Sequence, residues 1–350
     1  MPENQAKLDA RFAAAALRYG LRHAGLTKPN PCVAAIIVKC VGGSHVVVGR
    51  GVTALGGRPH AETLAIRMAG EFAHGATLYV TLEPCSHHGK TPPCTDAIID
   101  SGIARVVACM SDPDKRVAGG GFDKLKNAGV SVSRGGLELD AMQVHAPHII
   151  SKTLHRPYVF LKMAVSSDGM IGQRRGGQVA ISGPQAWNYV HGLRAQSDAI
   201  LVGVGTVLSD DPTLTCRLPG LQHRSPMRVV LDARHQMPSD AKIISISDST
   251  ETLVLNGRNP HEVLQNLAER GVQSLMIEGG AKVAAAFLKA QLVDAVHLIQ
   301  APGSVGADGV SAPMSLMTDV AQFDIAEKRS LGDDKLTIYL RKDFECSLAL

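Results

Sequence analysis

Two periods of hydrophobic residues alternate along this chain. Near the N-terminus Leu8, Phe12, Ala16 and Tyr19 recur at helical spacing, with Arg11, Arg18 and Arg22 among the polar positions. That pattern predicts an amphipathic helix. Residues 33–38 form an unbroken apolar run rich in branched side chains, and residues 46–48 follow a Gly42-Gly43 pair. They predict a buried strand and its hairpin partner. A short helix then opens at His60 and runs to about Met68. A strand over 76–82 follows, then a helix over 94–100 and a strand over 105–108. A helix around Leu125, ended by Gly129, leads to a strand over 130–132. A mixed start followed by strict strand–helix alternation predicts an α/β sandwich.

A second series begins after a helix that leads into residues 148–156, with Pro157 opening a new strand. The expected domains are therefore residues 1–150 and 151–350. The strand over 158–165 carries Lys162 among apolar neighbours, which makes the lysine either an edge residue or one pointed into a site. Ser182-Gly183-Pro184 opens a helix with a favourable cap and an early proline, continuing through Trp187, Val190 and Leu193 to Arg194. Strands are expected at 199–203, 228–232, 252–255, 274–278, 296–299 and 335–340, and helices at 261–270 and 281–292. Glycine turns at 203–206 and 279–280 follow two of the strands, and such turns expose backbone N–H groups to phosphate. No G-x-G-x-x-G stands at the expected place, so a standard dinucleotide fold is disfavoured. The residues alone support an α/β domain in which nucleotide binding stays open.

Composition narrows this picture. Aromatic residues make up only 4% of the 350-residue chain, so the cores must be built from Ala, Val, Ile and Leu. A net charge of +4 does not call for nucleic acid as a partner, but suits an anionic small substrate. No apolar signal region follows Met1 and no apolar run reaches membrane-spanning length, so a cytoplasmic protein with no membrane partner is expected. Seven cysteines, odd in number and scattered, fit a reducing compartment better than a disulfide framework.

The chemistry concentrates in Pro59-His60-Ala61-Glu62 and in the stretch from Pro84-Cys85 to Pro93-Cys94. One imidazole and two thiols, His60, Cys85 and Cys94, are three zinc ligands that leave a fourth position open, as catalytic zinc requires. Glu62, two residues from His60, is placed to carry protons rather than to bind metal, the arrangement of zinc deaminases. A closed structural site is the alternative, with His87 or His88 as a fourth ligand.

These residues resemble the cytidine-deaminase-like superfamily, and within it the bifunctional pyrimidine deaminase/reductase family of riboflavin biosynthesis. The narrower resemblance rests on Thr27-Lys28-Pro29-Asn30-Pro31, on Gly57-Arg58-Pro59-His60-Ala61-Glu62, and on the long Cys85–Cys94 loop with His87-His88-Gly89-Lys90 inside it. In the second half it rests on Arg156-Pro157, Ser167-Asp168-Gly169, the stretches 193–207 and 210–217, and Ile277-Glu278-Gly279-Gly280-Ala281. The resemblance implies a cytidine-deaminase-like α/β sandwich followed by a dihydrofolate-reductase-like α/β domain. It implies zinc and NADPH as cofactors and a phosphorylated pyrimidine as substrate; a homo-oligomer is expected, though the sequence does not itself give the oligomeric state. It places Asn30, His87 and Lys90 at the deaminase substrate, and Lys162, Ser182, Arg194, Leu214, Arg217 and Glu278 at the reductase substrate. For NADPH it implies Ala164, Ala180, Thr206, Asp210, Gly280, Ala281, Lys282, Val283, Ala284, Ala285 and Ala286. The chain departs from the family pattern at Ala34, Met170, Ala180-Ile181 and Gln236.

Overall fold

The computed structural model describes residues 2–114, 119–174, 179–246, 250–313 and 322–342. The chain divides into two compact units, Met1–Leu154 and His155–Leu350.

In the first unit helix α1 (Pro2–Gly20) buries Phe12, Ala13, Ala16 and Leu17 on the face its spacing predicts. Strands β1 (Ala34–Val41) and β2 (Ser44–Val52) form the expected hairpin. Helix α2 (Ala61–Ala69) leads to β3 (Thr77–Val80), α3 (Cys94–Asp100) to β4 (Arg105–Ala108), and α4 (Gly120–Asn127) to β5 (Ser131–Arg134). Helices α5 (Glu138–Val144) and α6 (Ala146–Thr153) end the unit. The sheet order is β2-β1-β3-β4-β5, antiparallel at β1 and parallel from β3 to β5. Phe12 and Ala16 pack with Ile36, Val38, Tyr79 and Val107. Asp9, on the same helix, receives both guanidinium nitrogens of Arg105 at 2.9 and 2.6 Å and the Tyr79 hydroxyl at 2.9 Å.

Helix α2 lies against β2 at backbone distance. A Cβ on Gly51 would stand 2.1 Å from the Ala61 carbonyl oxygen, and one on Gly49 would stand 2.3 Å from that of Ala65. Small residues on both partners, with buried Ala61, Ala65 and Ala69 on the helix, permit this approach. The helix that carries Glu62, and His60 just before it, is thereby seated on the sheet.

In the second unit six strands run parallel: β6 (Tyr158–Val165), β8 (Ala199–Gly203), β9 (Met227–Leu231), β10 (Thr252–Leu255), β11 (Ser274–Glu278) and β12 (Ala295–Gln300). The hairpin of β14 (Phe323–Leu331) and β15 (Asp334–Arg341) adds two antiparallel strands, giving the order β10-β9-β8-β11-β6-β12-β15-β14. A separate ribbon pairs β7 (Met170–Gln173) with β13 (Gly309–Ser311). The helices are α7 (Pro184–Gln196), α8 (Val204–Asp210), α9 (Lys242–Ser245), α10 (Pro260–Glu269) and α11 (Ala281–Lys289). Strand β6 divides two cores. Val159, Leu161, Met163 and Val165 join Leu264, Leu267 and Phe287 on one face, and Phe160 joins Ala186 and Val190 on the other.

Three details differ from the sequence reading. The N-cap of α7 is Gly183, which has no side chain to cap the helix; its own N–H donates to the Asp334 carboxylate at 2.8 Å. Helix α11 stops at Lys289 rather than reaching 292. Strand β6 is flanked by β11 and β12, so Lys162 is not an edge residue.

Candidate active sites

His60 is the N-cap of α2, Glu62 stands in its first turn, Cys85 follows β3, and Cys94 opens α3. These elements bring His60, Cys85 and Cys94 together, with their ligand atoms within 4.8 Å of one another. His60 Nδ1 lies 3.3 Å from Cys94 Sγ and 3.6 Å from Cys85 Sγ. Tetrahedral bonds of ordinary zinc–nitrogen and zinc–sulfur length put such atoms about 3.5 Å apart. Two thiols and an imidazole are also the donors zinc prefers, so the residues fit the metal. Glu62 is buried beside them, at 4% exposure.

The protons of this cluster are strongly coupled. The Cys94 thiol and His60 hold the Cys85 thiol down at about 4, against the opposing effect of its burial. The same hydrogen bond with Cys85, together with burial, drives the Cys94 thiol upward. His60 is raised, chiefly by its hydrogen bond to Cys85. Burial, with the Cys85 charge behind it, pushes Glu62 up to about 7. A carboxyl group there can both take and give a proton near neutral pH. On the far side of the imidazole, Asn30 Nδ2 lies 3.2 Å from His60 Nε2 and donates to the Gly57 carbonyl at 2.7 Å. His87 and Lys90 are exposed on the loop between the cysteines.

One supporting residue escaped sequence reasoning. Glu83, 3% exposed and two residues before Cys85, accepts the backbone N–H groups of Asp112, Gly119, Gly121 and Phe122 at 2.9–3.3 Å. It ties the segment after β4 to the cysteine loop, and a Cβ on Gly121 would stand 2.1 Å from the Pro84 carbonyl. An acidic residue at the end of an apolar strand was the available signal.

In the second unit Lys162 sits in register with Glu278 across β6 and β11. Lys162 Nζ lies 3.3 Å from Glu278 Oε1, and Arg194 Nε of α7 donates to Oε2 at 2.9 Å. Burial alone would raise Glu278, but Arg194 and Lys162 outweigh it and hold the carboxyl down at about 2. Arg194 also donates to the Thr215 carbonyl at 2.9 Å, which brings the loop of Leu214 and Arg217 to the same place. At the ends of β8 and β11, Thr206 faces the glycine turn: a Cβ on Gly280 would stand 3.2 Å from its Oγ1. Gly279 and Gly280 have φ of 94° and 77°, where only glycine is unstrained. Gly280 caps α11, so Ala281, Lys282 and Val283 form its first turn; the Val283 N–H already donates to the Gly280 carbonyl at 3.1 Å, whereas those of Ala281 and Lys282 precede the first helical bond. This end of the sheet, outside the carboxyl ends of parallel strands, is where α/β folds bind ligands, and its glycine turn fits the phosphates of a dinucleotide. Asp210 ends α8, Ala164 is half-buried on β6, Ser182 is half-buried just ahead of α7, and Ala180 is exposed. Ala285 and Ala286 are half-buried on α11, whereas Ala284 turns its methyl group into the core.

Comparison with known proteins bears on both units. The family model for the cytidine and deoxycytidylate deaminase zinc-binding region matches residues 6–110, and that for the RibD C-terminal domain matches residues 157–335. The riboflavin biosynthesis protein RibD of Escherichia coli is 38% identical, covering 93% of this chain and 97% of that protein. RibD of Aquifex aeolicus is 35% identical over 96% of this chain and 99% of its own length. Among solved structures, Acinetobacter baumannii RibD superimposes with a TM-score of 0.85 at 32% identity, covering 96% of this chain and 99% of that one. The diaminohydroxyphosphoribosylaminopyrimidine deaminase/5-amino-6-(5-phosphoribosylamino)uracil reductase of Thermotoga maritima matches equally well, with a TM-score of 0.85 at 34% identity and the same coverage. Among the described residues no helix is long and apolar enough to cross a membrane. With the sequence matched end to end and both halves matched in order, the chain belongs to the RibD family of bifunctional, zinc- and NADPH-using deaminase/reductases of riboflavin biosynthesis.

Proposed function

We propose that the first domain, residues 1–150, deaminates the ring of a diaminopyrimidinone ribosyl phosphate, and that the second, residues 151–350, reduces the ribosyl group of the product to ribityl. The observation that carries the reading is the meeting of His60, Cys85 and Cys94 around one point with buried Glu62 beside it. His60, Cys85 and Cys94 hold zinc, which when bound supplies Lewis acidity toward water. Glu62 accepts one proton from the attacking water and passes it to a ring nitrogen, then takes the second proton from the added hydroxyl and gives it to the amino group, which leaves as ammonia. Asn30, His87 and Lys90 receive the substrate, Lys90 as a partner for its phosphate.

In the second domain bound NADPH supplies the hydride. Thr206, Asp210 and the turn from Gly280 to Ala286, with Ala164 and Ala180, hold the cofactor. Lys162, Ser182, Arg194, Leu214, Arg217 and Glu278 receive the sugar phosphate. Arg194 and Arg217 offer guanidinium groups to anionic oxygen, and Glu278 orients the sugar hydroxyls. The protein works in the cytoplasm as a homo-oligomer.

Cys85→Ser is the direct test. Metal analysis should find zinc lost and ammonia release abolished, while NADPH oxidation with the deaminated substrate stays within about twofold of wild type. Full ammonia release by that variant would remove Cys85 from the ligand set.

A further inference from the structure

The loop between α8 and β9 carries Leu214 and Arg217, and its conformation needs an external hold. Leu214 is buried with φ of 53°, in the left-handed region that side chains other than glycine rarely adopt. The hold comes from α7. The Arg217 backbone N–H donates to His191 Nδ1 at 3.2 Å, and Arg194 donates to the Thr215 carbonyl at 2.9 Å. The Cys216 thiol donates to the His191 backbone carbonyl at 3.4 Å. His191 and Arg194 are three residues apart and so share one helix face. Behind the loop, the Cys216 N–H donates to Ser225 Oγ at 3.1 Å.

His191 is 7% exposed. Burial, then the charges of Arg194 and Arg217, pull its pKa down to about 4, against smaller upward effects of Glu278 and the Thr215 backbone. At neutral pH the ring is therefore uncharged and can accept on Nδ1. Arg194 holds the loop at Thr215 and Ser225 holds it at Cys216, and His191 is the side chain that holds the Arg217 backbone itself.

We propose that His191 is a positioning residue for the reductase reaction: by accepting the Arg217 N–H on Nδ1 it locks the loop in the shape that presents Leu214 and Arg217 to the sugar phosphate. The inference rests on the reading that this loop meets the substrate.

Two measurements on the full-length, zinc-loaded protein test it. Limited trypsin digestion, followed by mass spectrometry, reads cleavage after Arg217 without any substrate. Steady-state kinetics with NADPH and the deaminated substrate reads KM and kcat. His191→Leu removes the acceptor, as does His191→Phe should the first variant not fold, whereas His191→Asn keeps an acceptor oxygen near the Nδ1 position. Loss of the acceptor should speed cleavage after Arg217 about fivefold or more and raise the substrate KM about tenfold, with kcat and the NADPH KM within about twofold. His191→Asn should stay within about threefold of wild type in both measurements. The proposal is overturned if the acceptor-free variants cleave at the wild-type rate, or if His191→Asn is impaired as much as they are. Arg217→Ala separates the two readings. If it leaves the substrate KM unchanged, the assignment of this loop to the substrate fails, while the cleavage rates still decide whether His191 holds it.

Discussion

At the scale of single residues, the two sites treat buried carboxyl groups in opposite ways. Glu62 is raised by burial and by a neighbouring thiolate, and Glu278 is lowered by two cations. Glu278→Gln would leave Lys162 and Arg194 buried without their counter-charge, at a cost of ~3–5 kcal/mol. Thermal unfolding should show it as a lower midpoint, and NADPH oxidation should fall with it. His145 gives a pH dependence of known sign. It is buried against Thr81 Oγ1 at 3.0 Å, and burial, with His148 behind it, lowers its pKa to about 3. The unfolded chain binds this proton from about pH 6.5 downward. Stability is therefore full above that pH and is lost as pH falls toward 3, at up to ~1.4 kcal/mol per pH unit. Urea titrations between pH 7.5 and 4.5 should show the slope in wild type and a shallower one in His145→Gln; equal slopes would remove His145 as the cause. The cluster of His60, Cys85 and Cys94, with Glu62 beside it, was legible in the sequence because its members stand at helix starts and just after a strand with recognisable spacing. Glu83 and His191 were not, because their partners are backbone N–H groups of distant loops, which carry no residue-type signature.

At the scale of elements, legibility followed burial. The parallel strands of the second unit are continuous apolar runs, such as the four buried residues of β8 from Ala199 to Val202, and the sequence pattern located them within a residue or two. Strand β14 is exposed at Asp324, Ile325, Ala326, Glu327, Lys328, Arg329 and Ser330, so it shows no alternation. Its existence depends on its ladder with β15. The ribbon of β7 and β13 joins segments more than a hundred residues apart and has no local signal either. What seats the deaminase helix was visible only as two glycines in β2. Gly51→Ala would force β2 and α2 apart, costing ~2–4 kcal/mol. Because α2 carries His60 and Glu62 at its start, ammonia release should fall severalfold more than NADPH oxidation does. Equal losses would show that the packing matters only to overall stability.

At the scale of the whole molecule, a strand list does not reveal sheet order. Strand β6 is the first of its unit in sequence, yet it lies between β11 and β12. Its neighbour across the Lys162–Glu278 pair is 116 residues away. Asp294, at the start of β12, receives both Arg156 nitrogens at 2.7 Å and the Val159 N–H at 2.8 Å, so the opening of the unit is fastened by a residue near its end. This has a consequence for synthesis on the ribosome. The first unit holds all its own strands and can fold as it emerges. The second must keep Val159, Phe160, Leu161 and Met163, all buried in the finished sheet, exposed until β11 and β12 are made. At roughly 5–20 residues per second that wait is about ten seconds, spent with an apolar strand edge unpaired. Ribosome-bound chains arrested after residue 270 should therefore bind hydrophobic-surface chaperones strongly, and the 350-residue chain held on the ribosome by an added C-terminal linker weakly. Equal chaperone capture at both lengths would show that β6 is sheltered before its partners arrive.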